Sequence, residues 1–180
     1  MPSRMIHYLI AEKVAEQVEI KNKNRFKIGS LCPDMSLHTD SSKHQTHYFE
    51  IHGDKKGGNW SQFAKEYKEQ MKQDDLYFGI LCHLITDMIW FHEITEPMIR
   101  SKVKSKEERQ EKYQEGYKDF HRLNYLLREE FDLRYELEED RNVVFDGIHP
   151  ELYDEVFDGV VQGFLSGAES DERGPCYLYV

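Results

Sequence analysis

The stretch LCHLITDMIWFHE, residues 81–93, places an imidazole and a carboxylate inside an apolar run. The run is apolar on nearly every side, which predicts a buried core helix. His83 and Asp87 are four residues apart, so they share one helix face, about 40° apart around the axis. Burying both is costly unless something pairs with them. Because both are ordinary ligands of zinc and similar divalent ions, the pattern predicts either a metal site or a structural His–Asp hydrogen bond.

Size and composition limit the class of protein. The 180 residues are 39% hydrophobic and 32% charged, which suits a single domain over residues 1–180 with an irregular tail from residue 168. No apolar run approaches the roughly 20 residues of a membrane span, and no signal-peptide core follows the first residues. We therefore expect a cytoplasmic protein without stable membrane association. The net charge of -10 argues against binding of duplex nucleic acid. The oligomeric state stays open.

Hydrophobic periodicity predicts an all-α fold with four or five main helices. The longer helices are expected over residues 3–18, 76–94, 106–131 and 150–168, and shorter ones over 24–31 and 60–71. Pro97 is expected to end the core helix, and the polar stretch 33–59 to form a long loop. Residues 134–146 have no clear pattern. The tail 169–180 is expected to be irregular, although 177–180 has the composition of a short strand.

Further potential metal ligands stand beside apolar stripes or at helix boundaries. They are His7, Asp34, His47, His92, Glu93 and the i, i+4 pair Glu115 and Asp119. Each also has a structural interpretation. The last pair suits a solvated helix face, His47 is one of four histidines in its loop, and Asp34 suits a turn after proline.

Three local strings, in this order, resemble the zinc-dependent phospholipase C family, which is related to the S1/P1-type single-strand nucleases. The segment GSLCPD, residues 29–34, is similar to the family's G-x-L-x-P-D segment. His47-Tyr48-Phe49 is similar to its H-F segment, and GILCHLITD, residues 79–87, to its G-x-x-x-H-x-x-x-D helix. The resemblance covers residues 3–131. It implies an all-α fold around two or three Zn²⁺ ions, or another divalent metal.

The resemblance also implies which side chains hold the first two ions. On the family's pattern, one ion is held by Asp34, His47, His83 and Asp87. Asp87 is shared with a second ion, which His7 and the chain's N-terminus hold. Removal of Met1 would leave an amino group at the spacing found in the nuclease branch, although the family has tryptophan there.

The implied third ion differs from the family's pattern. Its ligands would be His92 or Glu93 together with Glu115 and Asp119. The family has a histidine at the position of Glu93, and a histidine and an acid at the positions of the later pair. This site is therefore expected to be altered and richer in oxygen ligands.

The function that the resemblance implies is metal-dependent hydrolysis of a small phosphoester. A divalent ion lowers the pKa of bound water and offsets charge on the phosphoryl oxygens. Asp34 is the candidate to orient the attacking water or to accept its proton. Because no signal peptide is evident, a soluble phosphoester is a more natural substrate than bulk membrane lipid.

Two other functions stay open. An HD-type phosphohydrolase needs adjacent His and Asp residues on a helix, and the chain has no His-Asp dipeptide. A non-catalytic helical domain that binds a metal is compatible with the altered third site.

The chain has three cysteines, Cys32, Cys82 and Cys176. An odd number of widely spaced cysteines is typical of proteins in a reducing compartment. We predict three free thiols. Mass spectrometry of protein alkylated in denaturant without a reductant should find three modified cysteines, and an intramolecular disulfide would refute this.

Overall fold

The computed structural model describes residues 2–37, 39–52, 55–167 and 176. Its helices are α1 (Arg4–Gln17), α2 (Lys23–Gly29), α3 (Asp40–Thr46), α4 (Trp60–Glu66), α5 (Lys68–Gln73), α6 (Asp75–Trp90), α7 (Lys106–Glu130) and α8 (Tyr153–Leu165). A π-helical segment (Phe91–Arg100) continues α6, and 3₁₀ turns cover Cys32–Asp34 and Pro150–Leu152. Strands β1 (Phe49–His52) and β2 (Lys55–Gly58) form an antiparallel hairpin with Phe49 opposite Gly58. The all-α class is confirmed.

Six of the eight α-helices that the structure describes begin where a polar side chain accepts a hydrogen bond from an amide of the first turn. Ser3 accepts from the amide of Ile6 at the start of α1, and Asp74 accepts from Leu76 at the start of α6. Ser105 and Glu108 form a complete capping box on α7. Such caps satisfy amide donors that the helix leaves unpaired, so short polar residues in the sequence mark these starts.

Helix α6 lies at the centre of the core, as its apolar sequence predicts. Leu76, Ile80 and Leu84 are almost completely buried and pack in one cluster with side chains of α1, α2 and α8. The closest neighbour is α2, and the two backbones meet at glycines. A Cβ atom on Gly79 would lie 2.0 Å from the carbonyl oxygen of Phe26, and one on Gly29 would lie 2.1 Å from that of Leu76. Only glycine permits this approach.

The expected loop over residues 33–59 is wrong in part. Helix α3 and the hairpin occupy most of its described length. The side chain of Thr39 caps α3 by accepting a hydrogen bond from the amide of Ser42. This cap was not recognised in the sequence because the residues around it are also polar. Because hydrogen bonds within the helix and between the strands satisfy the backbone, this segment can pack over the core despite few apolar residues.

Two predicted helix boundaries also need correction. The helix expected over 60–71 is divided at Tyr67, whose ring stacks on Phe63 and on Tyr77. Pro97 does not end the core helix, because the chain stays helical in π geometry as far as Arg100. Proline lacks an amide donor and crowds the preceding turn, and a widened helix accommodates both defects.

Residues 132–149 contain an extended segment that polar contacts hold against the core. The Tyr8 hydroxyl donates to the carbonyl of Arg134 and accepts from the amide of Glu136. Arg25 forms ion pairs with Asp74 and Asp140. The contacts of Tyr8 and the pair of Arg25 with Asp140 join residues more than 100 positions apart, so no local sequence pattern predicts them.

All three cysteines are free and buried, as predicted. Burial raises the pKa of the Cys82 thiol to about 11, which keeps it protonated and unreactive. The tail residues 168–175 and 177–180, with the strand considered there, lie outside the described residues. No helix within the described ranges is both long and apolar enough to cross a lipid bilayer.

We predict that Gly79→Ala lowers the free energy of unfolding by about 2 kcal/mol or more, because its methyl group meets the backbone of α2. Chemical denaturation measures the loss. Gln70→Ala, at an exposed position of α5, is the control and should stay within about 0.5 kcal/mol of wild type. Equal stability of the two variants would contradict the close packing of α2 on α6.

Candidate metal centre

Five of the predicted ligands meet in the interior, although they come from four separate segments. His7 lies on α1, and His83 and Asp87 lie on α6. Asp34 ends the 3₁₀ turn that follows α2, and His47 is the C-cap of α3. Because α1 and α2 both pack against α6, these segments converge on one face of that helix.

The side chains surround a common space. Asp87 Oδ1 lies 3.4 Å from His7 Nε2, and Asp87 Oδ2 lies 3.6 Å from His83 Nε2. His47 Nε2 lies 3.6 Å from Asp34 Oδ1 and 3.9 Å from Asp87 Oδ2. The rings of His7 and His83 stack with centroids 3.8 Å apart. The three imidazoles are buried, and the two carboxylates are 13–14% exposed.

Hydrogen bonds outside this space fix the tautomers of two imidazoles. His83 Nδ1 donates to the carbonyl of Ser30 at 2.8 Å. Thr46 donates its only hydroxyl proton to Ser42, so its oxygen accepts from His47 Nδ1, 2.8 Å away. Both rings therefore direct an Nε2 lone pair toward the carboxylates, which is the arrangement that metal-binding histidines use.

The charge states also suit a metal. Burial, with the neighbouring His7 imidazole, lowers the pKa of His83 to about 3 despite the nearby carboxylates, so this ring is neutral at pH 7. Burial acts to raise the pKa of Asp87, but His7, whose Nε2 lies 3.4 Å away, and the other adjacent imidazoles lower it to about 2. For Asp34 burial is likewise outweighed, chiefly by His47, and its pKa lies well below the usual range. Neutral imidazole and ionised carboxylate are the ligand forms.

The separations of the nitrogen and oxygen atoms at the centre suit coordination of a divalent ion better than hydrogen bonds between them. His47 Nε2, His83 Nε2 and Asp87 Oδ1 are buried and have no hydrogen-bond partner, which costs about 1–3 kcal/mol for each group. Separations of 3.4–3.9 Å are long for hydrogen bonds. Neighbouring ligands on a tetrahedral ion with bonds of 2.0–2.1 Å are about 3.3 Å apart. Two sets have their donor atoms within 4.8 Å of one another: His7 with His83 and Asp87, and Asp34 with His47 and His83.

The four residues considered for a third ion are not brought together. Glu115 is exposed and pairs with Lys112 at 2.5 Å, and Asp119 is buried and pairs with Arg122 at 3.2 Å. His92 and Glu93 are exposed on the π-helical segment. Within the described part of the chain, no potential metal-binding group includes any of the four. Glu115 and Asp119 are thus each paired with a cationic side chain of the same helix. The metal-binding role of these four residues stays a prediction.

A small pocket of about 50 Å³ leads to the centre beside Asp87. Its walls are mostly apolar and are formed by His47, Phe49, Gly58, Asp87, Met88, Phe91 and His92. His92 therefore stands at the entrance to the centre. The β-hairpin supplies one wall, so the segment expected to be a loop helps to shape access to the site.

Reasoning from the sequence missed three residues that support the centre. Ser30 lies within one of the family-like strings and acts through its carbonyl oxygen, and Thr46 directly precedes another and acts through its hydroxyl oxygen. Arg4, the first residue of α1, lies with Nε 3.9 Å from Asp34 Oδ2. No local pattern distinguishes this arginine from a surface cation.

A family model described as zinc-dependent phospholipase C matches residues 6–156. The chain belongs to the zinc-dependent phospholipase C family. The match includes the five convergent side chains and most of the core, which confirms the resemblance, and the family consists of metal-dependent phosphoester hydrolases. No curated protein and no solved structure matches the chain.

We predict that Zn²⁺ stabilises the wild-type protein and that His83→Ala removes this effect, because an ion that binds only the folded state adds its binding energy to stability. At 100-fold excess over Kd the melting temperature should rise by about 5–10 °C. Thermal melts with and without Zn²⁺ measure the shift, and elemental analysis counts the bound metal.

His121→Ala removes an exposed histidine of α7 and serves as the control, which should keep the full shift. If Zn²⁺ stabilises wild type and His83→Ala equally, His83 is not a ligand.

Proposed function

We propose that this protein is a metal-dependent phosphoester hydrolase that binds two Zn²⁺ or similar divalent ions at the centre. The observation that carries the proposal is the convergence of three imidazoles and two carboxylates with unpartnered buried atoms. Membership in a zinc-dependent family supports zinc as the metal.

Asp87 Oδ1 lies beside His7 and Oδ2 lies beside His83 and His47, so this carboxylate would contribute to both ions if two are bound. His83 Nε2 has a single lone pair, and its Nδ1 is bound to Ser30, so this ring can serve one ion only. We assign His83, His47, Asp34 and Asp87 Oδ2 to the first ion. His7 and Asp87 Oδ1 remain for the second, which has fewer protein ligands among the described residues and should bind more weakly.

The residues of the chain then have defined roles. Bound divalent ions supply Lewis acidity, which activates water and neutralises charge on a phosphoryl group. Asp34 is the candidate to orient the attacking water or to accept its proton, since its Oδ2 faces away from His47. The apolar walls at Phe49, Met88 and Phe91 exclude bulk water from the reacting group.

We propose a small soluble phosphoester as the substrate. The narrow pocket and the net charge of -10 support this choice, because an acidic protein is repelled by anionic bilayers. Three free cysteines support a reducing compartment such as the cytoplasm. We also propose that residues 1–180 form a single domain and that the protein does not bind duplex nucleic acid.

A second candidate function is metal binding without catalysis. The ion pairs of Glu115 with Lys112 and of Asp119 with Arg122 favour it, because they engage two of the acids expected at a third ion. A catalytic assay on protein of known metal content separates the two functions.

We expect hydrolysis of p-nitrophenyl phosphate or bis-p-nitrophenyl phosphate that stops on chelation and returns with Zn²⁺. Asp34→Asn should lower kcat at least about 100-fold, since it removes the group that positions water or takes its proton. Release of p-nitrophenol measures turnover, and vesicles of phosphatidylcholine with phosphatidylserine test lipid as a substrate.

Asp132→Asn is the matched control, because it makes the same change at an exposed residue and should keep full activity. Metal-loaded protein that turns over neither compound nor lipid would establish the non-catalytic alternative. Attack on vesicles alone would refute the soluble substrate.

A further inference from the structure

Arg4, the first residue of α1, approaches the metal centre from the helix that also carries His7. Arg4 Nε lies 3.9 Å from Asp34 Oδ2, the carboxylate oxygen on the side away from His47. Asp34 Oδ2 therefore faces a cation, while Oδ1 faces the unprotonated Nε2 of His47, which is a metal-ligand atom. A cation paired with one oxygen restricts the plane of the carboxylate and leaves the other oxygen directed at the centre, as a metal ligand or a water-orienting group requires.

The guanidinium is itself held in place by α8. Arg4 Nη1 donates to the carbonyl of Glu155 at 3.0 Å, and Nη2 donates to Glu155 Oε1 at 3.3 Å. The backbone contact does not depend on the side chain of Glu155, so the position is fixed by the helix. Residue 155 lies on α8, 121 positions from Asp34 along the chain.

Gly159, one turn further along α8, makes room for this arrangement. A Cβ atom there would lie 2.7 Å from Arg4 Nη1 and 2.9 Å from Arg4 Cδ. The conflict is with a side chain that can move, so Gly159→Ala would displace the guanidinium and spare the backbone. The substitution Gly159→Ala therefore offers a way to displace the side chain of Arg4 while the arginine itself is kept.

A purely structural role explains these contacts less well. The pair of Arg4 with Glu155 is exposed, and such pairs stabilise proteins by only about 0–1 kcal/mol. The contact with Asp34 is on the buried side, where one charge facing another is worth more.

We propose that Arg4 is a positioning residue that orients the Asp34 carboxylate for its role at the metal centre; this rests on the proposed function. Arg4 acts through Asp34 and does not contact the substrate. Glu155 and Gly159 of α8 in turn position Arg4.

The test is titration of the metal-free protein with Co²⁺, followed by calorimetry and by visible absorption, which reports the arrangement of the ligands. The variants are Arg4→Met, which keeps the apolar stem, Arg4→Lys, which keeps the charge, and Gly159→Ala. Arg134→Met, at a 73%-exposed arginine, is the matched control. Phosphoester turnover is measured in parallel.

We expect Arg4→Met to raise the Kd for Co²⁺ at least about tenfold, the usual effect of removing a group that supports a ligand. Its absorption spectrum should change, and kcat should fall with KM nearly constant. Gly159→Ala should change the spectrum in the same direction, Arg4→Lys should recover part of the affinity, and Arg134→Met should match wild type.

Wild-type affinity and spectrum in Arg4→Met would overturn the proposal, whatever the variant's melting temperature. An effect on KM alone would also overturn it, because it would make Arg4 a substrate-binding residue. Weaker Co²⁺ binding in Arg4→Met, in a protein that hydrolyses no phosphoester, would support the positioning role and refute the proposed function. Absence of Co²⁺ binding in wild type would refute both.

Discussion

The contact of α2 with α6 is the constraint on which the rest of the structure depends. Gly29 and Gly79 let the two backbones touch, and this closeness brings the carbonyl of Ser30 to His83 at 2.8 Å. It also places the 3₁₀ turn that ends at Asp34 beside the face of α6 that bears Asp87. One steric requirement, the absence of two Cβ atoms, therefore sets both a tautomer and a ligand position.

The buried charges at the centre are tolerated because they are arranged around a shared space. Two carboxylates and three imidazoles would each be costly to bury alone. Here the carboxylates remain ionised beside the imidazoles, and His83 remains neutral because of its burial. The separations leave several atoms without hydrogen-bond partners, so the site is stabilised further by whatever cation these atoms bind.

The remaining elements position the centre or limit access to it. Thr46 at the end of α3 orients His47, and the hairpin that follows supplies Phe49 and Gly58 to the pocket wall. Helix α8 packs on α1 through Gly159 and Gly163, which lie against Arg4 and Met5. The extended segment after α7 joins the core through Tyr8 and Arg25. Parts of the chain without ligands thus determine how the ligands are held.

Periodicity and spacing in the sequence determined the helical class and the buried helix with His83 and Asp87 on one face, whereas only the resemblance to the family's strings indicated Asp34 and His47. These features are local, because an i, i+4 pair shares a face in any α-helix. The sequence did not determine that Arg4 reaches Asp34, or that residues 40–46, 49–52 and 55–58 form a helix and two paired strands. Those outcomes depend on contacts between distant segments, and only the packing of α1, α2 and α8 around α6 decides which side chains meet.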